Sequence, residues 1–275
     1  MFDLFTDPAT QALLDRAILL WALVAARVAP IVMMVPYLGG KAVPQLVKMG
    51  LTIALTGMIY PLVWGSGAAA ALPDGALALT VLLCKELLLG FTFGFVATLV
   101  FDAVRIAGQL IDNARGQTQA TAFVPQLKER VSVTSDYLYQ LNVVVFLLLG
   151  GHRLFIAALV NSFAAIPPQT MPPLGDHLGA MAFGITRLAT DAITLGVVMA
   201  FPVIAAILLT DLCLAMVNRA APQINVFFLG MPIKALAGIV VVLMTLQALV
   251  ERTMREAITG IQFIEAVMQS LAMGG

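Results

Sequence analysis

The chain has 275 residues, 61% hydrophobic and 11% charged, with fifteen Lys plus Arg against fifteen Asp plus Glu. Soluble domains run at about 45–50% apolar and 25% charged residues, so this composition, with mean hydropathy +0.99, specifies a polytopic helical membrane protein. The neutral balance implies no polyanionic partner, nucleic acid included.

Six apolar stretches follow in order, at about 17–38, 49–64, 75–101, 138–166, 179–217 and 235–250. A spanning helix needs about 20 apolar residues, which only the fourth and fifth meet without interruption. Arg27, Pro30 and Pro36 interrupt the first, and Lys85 and Glu86 divide the third. Arg187 and Asp191 stand near the start of the fifth, spaced i,i+4 to pair along one face. Asp3 and Asp7 precede the first basic residue, Arg16, so a cleavable signal peptide is not expected.

Connections at 39–48, 102–137 and 218–234 carry Lys and Arg, whereas 65–74 and 167–178 carry none. The positive-inside rule sets the first three in the cytoplasm and the N-terminus outside. Arg252 and Arg255 run against the outside C-terminus that six simple spans require. Beyond 250, the i,i+4 pairs Glu251–Arg255 and Arg252–Glu256 and a following apolar face predict an amphipathic helix. Prolines at 167, 168, 172 and 173 mark the best internal boundary.

Adjacent Lys85 and Glu86 point about 100° apart on a helix and are expected to find partners elsewhere. An ion or proton relay is one reading; a structural pair with another helix or subunit is preferred, for Arg27 as well. Gly90 and Gly94 form a GxxxG spacing that permits close helix approach. Cys84 and Cys213, without CxxC spacing, read as small buried hydrophobes. Two histidines, His152 and His177, form no metal spacing, and neither a nucleophile elbow nor a phosphate loop occurs, so no catalytic, metal or cofactor site is assigned.

Two connections stand out. Residues 107–126, AGQLIDNARGQTQATAFVPQ, read equally as a cytoplasmic loop or as a re-entrant, pore-lining segment. Residues 218–234, NRAAPQINVFFLGMPIK, combine Pro222 and Pro232 with Ile224, Val226, Phe227 and Phe228 between Arg219 and Lys234. A loop so apolar is expected to dock into protein, and its prolines argue against helix.

The 218–234 stretch resembles the signature of the FliR/SctT family of type III secretion export-gate subunits. KAVPQLVKMGLTIAL at 41–55, KELLLGFTFGF at 85–95 and AGQLIDNARGQTQATAFVP at 107–125 are similar to other segments of that family, in the same order. The IDNARG and NVFFLGMPIK wording looks more like the injectisome SctT branch than flagellar FliR. The resemblance implies an all-α membrane protein of about six helices in hairpins within a helical hetero-oligomer. Residues 1–166 would be SctR/FliP-like, 167–175 the boundary, and 176–275 a SctS/FliQ-like hairpin with its amphipathic tail.

Further implications are a non-enzymatic role in the bacterial inner membrane, conducting unfolded proteins beside SctR/FliP-like and SctS/FliQ-like subunits and SctU/FlhB-like and SctV/FlhA-like components. The family's central plug would fall on Ile111, Asp112, Arg115, Gly116, Phe123 and Pro125. Partner packing would fall on Asn218, Arg219, Pro222, Gln223, Asn225, Phe227, Phe228, Gly230, Pro232 and Lys234. The rival is a self-sufficient ion-coupled secondary transporter using Arg27, Lys85, Glu86, Arg187 and Asp191, for which inverted repeats are expected and none is seen.

Overall fold

The computed structural model describes residues 8–40, 43–73, 75–116, 132–171 and 175–273. Among them every regular element is a helix: α1 (Pro8–Met34), α2 (Pro36–Gly39), α3 (Gln45–Gly65), α4 (Ala76–Ala114), α5 (Val133–Leu148), α6 (Gly151–Ala165), α7 (Gly175–Ala220) and α8 (Val226–Met273). Five are long and apolar enough to cross a membrane, or six if the broken pair α5–α6 counts as one span.

Several boundaries differ from the sequence expectation. Arg27 and Pro30 do not interrupt α1; it ends where Val35, held extended before Pro36, leaves the helical region. Lys85 and Glu86 do not divide α4, whose 39 residues extend about 58 Å at 1.5 Å each. The fourth apolar stretch, expected to be unbroken, breaks at Leu149–Gly150, where Gly150 takes φ +77°. The tail beyond 250 continues α8 rather than forming a separate helix.

The 218–234 connection contracts to five residues. Ala221 to Ile224 close a turn by an Ile224 N–H bond to the Ala221 carbonyl at 3.1 Å, with Pro222 at the position that fixes φ. Asn225 then accepts the Phe228 N–H on its side chain at 3.4 Å and starts α8 as its N-cap. Pro232 lies inside α8, where it only removes one backbone bond to Phe228. Likewise residues 107–114 are the end of α4, not loop. Cys84 and Cys213, expected to be buried, are exposed on the surface of the chain.

The chain forms two compact units. One comprises residues 1–98, 150–186 and 259–275; the other comprises 99–149 and 187–258. In the first, Leu20, Leu23, Val24, Arg27, Val28 and Ile31 form the buried stripe of α1, spaced by three and four. Leu82, Glu86, Leu89, Phe93 and Val96 form the facing stripe of α4. Gly90 and Gly94 let the two helices meet: a Cβ on Gly90 would stand 2.3 Å from the Arg27 carbonyl oxygen. The second unit packs Ala103, Val104, Ala107, Ile111 and Leu138 against Leu195, Met199, Val203, Ile207, Val242 and Leu249.

Candidate functional site

The first unit encloses a charged centre. Because the apolar stripes of α1 and α4 pass through Arg27 and Glu86, both side chains are fully buried. Arg27 Nε and Nη2 donate to the two Glu86 carboxylate oxygens, the latter at 2.9 Å. Nη1 donates to the Ser162 carbonyl at 3.0 Å and to its hydroxyl at 3.1 Å, and Nη2 also to the Ile166 carbonyl at 2.8 Å. All five guanidinium hydrogens are thereby used, and the Phe163 ring lies 4.1 Å from Cζ.

Lys85 does reach its neighbour, contrary to expectation: Nζ lies 2.8 Å from Glu86 Oε1. The four-carbon stem is long enough to swing back over the helix surface. The same ammonium donates to the carbonyls of Pro167 and Pro168 at 3.1 Å each and of Thr170 at 2.8 Å. The Pro167 carbonyl also accepts the Thr170 N–H at 3.2 Å, and α6 has no basic residue in its own last turn. Two cations from α1 and α4 therefore supply what the negative end of α6 needs. The partners of Arg27, Lys85 and Glu86 lie within this chain, which is a structural ion-pair arrangement.

In the second unit, the two family-like segments come together. Asp112, almost fully buried, accepts the Ser132 hydroxyl at 2.7 Å and the Thr134 N–H at 3.0 Å on Oδ2, so it caps the start of α5. Arg115 Nη1 lies 3.3 Å from Asp112 Oδ1 and donates to the Thr134 hydroxyl at 2.9 Å. Its Nη2 donates to the Ala235 carbonyl of α8 at 3.2 Å. Gly238 gives that side chain room, since a Cβ there would stand 2.8 Å from Arg115 Cδ. A cavity of about 620 Å³ opens beside these contacts, walled by Tyr137, Met231, Ile239, Val242 and Leu243.

A smaller cavity of about 210 Å³ lies between Arg115, Asn218, Phe227, Gly230 and the ion pair of Lys234 with Asp211. Sequence reading missed Asp211, although it is the sole acidic residue between 192 and 250. It also missed Ser132, Thr134 and Gly238.

The remaining expected residues are placed as follows. Ile111 is a core residue, and Gly116 borders the larger cavity. Phe123 and Pro125 lie outside the described residues. Arg219 stands in the last turn of α7, Gln223 and Asn225 in the short corner, and Phe227 and Phe228 are exposed with their rings edge to face at 5.8 Å. Arg187 and Asp191 approach to 4.0 Å but stay exposed, so the pair contributes little by itself.

Comparison with known proteins follows the same residues. The family described as "Bacterial export proteins, family 1" matches residues 18–258, which include the charged centre and both signature segments. The "Flagellar biosynthetic protein FliR" of Escherichia coli K12 is 31% identical, over 78% of each chain. The "Yop proteins translocation protein T" of Yersinia pestis is 30% identical, over 86% of this chain and 89% of that one. The "Secretion system apparatus protein SsaT" of Salmonella typhimurium is 32% identical over 60% of this chain and 61% of that one. With these similarities and its membrane-length helices, the chain belongs to the bacterial export proteins, family 1, the FliR/SctT family, as a multi-pass protein of the inner membrane.

Proposed function

We propose that the chain is a structural and gating subunit of a type III export gate, through which unfolded proteins cross the bacterial inner membrane. The observation that carries this reading is the family match across 18–258, which coincides with the residues that tie the helices together. A role in protein export follows from the family itself, as does assembly with other export components. SctR/FliP-like and SctS/FliQ-like chains are the expected neighbours, with SctU/FlhB-like and SctV/FlhA-like components beside them. The sequence division at 167–175 fits a fusion of the first two types. The preference for injectisome over flagellar membership rests on the wording of two motifs.

The charged centre supports a subunit rather than an ion-coupled transporter. Arg27 has no free hydrogen to offer, and Lys85 is occupied by carbonyls and by Glu86. A relay needs groups that exchange partners, whereas a fully satisfied network holds helices in register. The first turns of α8 support a docking role, because Phe228 and Leu236 leave apolar surface open beside a polar corner.

The reading is tested by tagging the chain and identifying what copurifies. Replacement of Phe227 and Phe228 with Asp is expected to reduce recovery of partner subunits while the chain itself stays folded. Undiminished recovery opposes docking at this face. Deletion of 111–121 is expected to make the assembled gate conduct small ions, and unchanged conductance removes the plug idea for that segment, which carries Ile111, Asp112, Arg115 and Gly116. Solute transport by the purified chain alone in liposomes would favour the transporter.

A further inference from the structure

Three elements meet at Arg115, at the edge of the core in which Ile111, Leu138 and Val242 pack together. The cavity of about 620 Å³ is a cleft open to the surface, bordered by the exposed side chains of Val133, Tyr137, Ile239 and Leu243. What bridges it is polar: Arg115, one residue past α4, reaches Asp112 on that helix, Thr134 at the start of α5 and Ala235 on α8. Asp112 in turn holds the Ser132 hydroxyl and the Thr134 N–H. The order of the first turn of α5 therefore depends on Asp112, and the orientation of Asp112 on Arg115.

On α8, Pro232 lies three residues before Ala235 and leaves the Phe228 carbonyl without its helical donor. At Gly238 of α8 a Cβ would meet Arg115 Cδ at 2.8 Å, Nε at 3.0 Å and Cγ at 3.1 Å, its three nearest atoms all belonging to Arg115. The end of the stem and the guanidinium Nε therefore lie against bare α8 backbone, where Nη2 donates to the Ala235 carbonyl. Planar fork geometry suits one residue contacting three elements, which a lysine ammonium does not reproduce.

We propose that Arg115 is a positioning residue that couples the first turns of α8 to the start of α5, so that displacement of α8 loosens the N-terminus of α5 through Asp112. The coupling does not depend on the export-gate reading.

The experiment is amide hydrogen exchange on the full chain, in its copurified complex and alone in detergent, for wild type, Gly238→Ala, Arg115→Met and the double variant. Gly238→Ala changes only an α8 residue and Ala favours helix, so its effect is exerted through the close approach to Arg115. Each single variant is expected to speed exchange at Thr134–Tyr137 about tenfold, the loss of one charge-assisted hydrogen bond. The double variant is expected to be no faster than the singles, because both act through one side chain. Wild-type rates at these amides in Gly238→Ala, multiplicative effects in the double variant, or equal acceleration throughout all helices overturns the proposal. Coupling seen in the chain alone, with no partner subunit recovered, keeps the lever and removes the export-gate reading.

Discussion

Glu86 faces Arg27 so that each carboxylate oxygen accepts from a different guanidinium nitrogen, and the pair is wholly enclosed where α4 crosses α1. Two-point contact of this type fixes rotation of both helices as well as their separation. It also makes each member costly to lose singly.

Arg27→Met is expected to destabilise the chain by about 1.5–3 kcal/mol, because Glu86 keeps Lys85 but loses both guanidinium donors. The double variant Arg27→Met/Glu86→Met is expected to lose less than the sum of the two singles. Thermal unfolding in detergent measures both. Additive losses would show that the two side chains act independently.

Lys85→Met removes the donor to three carbonyls while preserving the stem. A loss of about 1.5–3 kcal/mol is expected, felt first in the segment after α6 and also at Glu86, which loses its Lys85 contact. Limited proteolysis reads this as new cleavage near 167–171; cleavage elsewhere at the same rate points to general unfolding instead.

Gly90→Ala places a methyl 2.3 Å from a backbone oxygen of α1, which has no flexible end to move aside. The two helices must separate, and a loss above about 2 kcal/mol is expected, in the range of overpacked interiors. Gly57→Ala is the matched control, with nothing within 4 Å of the added atom. It is expected to be neutral or stabilising by up to about 1 kcal/mol. Equal melting temperatures for the two variants would contradict the close approach.

Asn225→Ala removes the cap of α8 and is expected to cost about 1 kcal/mol. Circular dichroism resolves little of this in a chain so helical. Exchange at Phe227–Leu229 is the appropriate measure, and unchanged rates there would deny Asn225 the capping role.

Helical class and membrane character were legible because apolar content is a bulk property. The burial of Arg27 was also legible, since it stands in step with Leu20, Leu23, Val24 and Ile31 on one helical stripe. What periodicity does not reveal is the acceptor set: Ser162, Ile166, Pro167, Pro168 and Thr170 contribute mostly backbone oxygens, which every residue type carries. Proline content misled at 218–234, because Pro222 serves a tight turn and Pro232 sits within α8. Asp112 and Arg115 were singled out for their spacing, yet their partners Thr134 and Ala235 lie 22 and 120 residues away from Asp112 and Arg115 respectively.

The carbonyl cage around Lys85 and Arg27 imposes an order of events on biosynthesis. Synthesis at roughly 5–20 residues per second makes α1 and α4 available seconds before residues 162–170 emerge from the ribosome. Until then the nascent protein carries one more cation than anion at this crossing, with donors that only the delayed strand of oxygens can quench. Co-translational insertion must therefore shelter these helices, in the translocon or in water, until the end of α6 arrives.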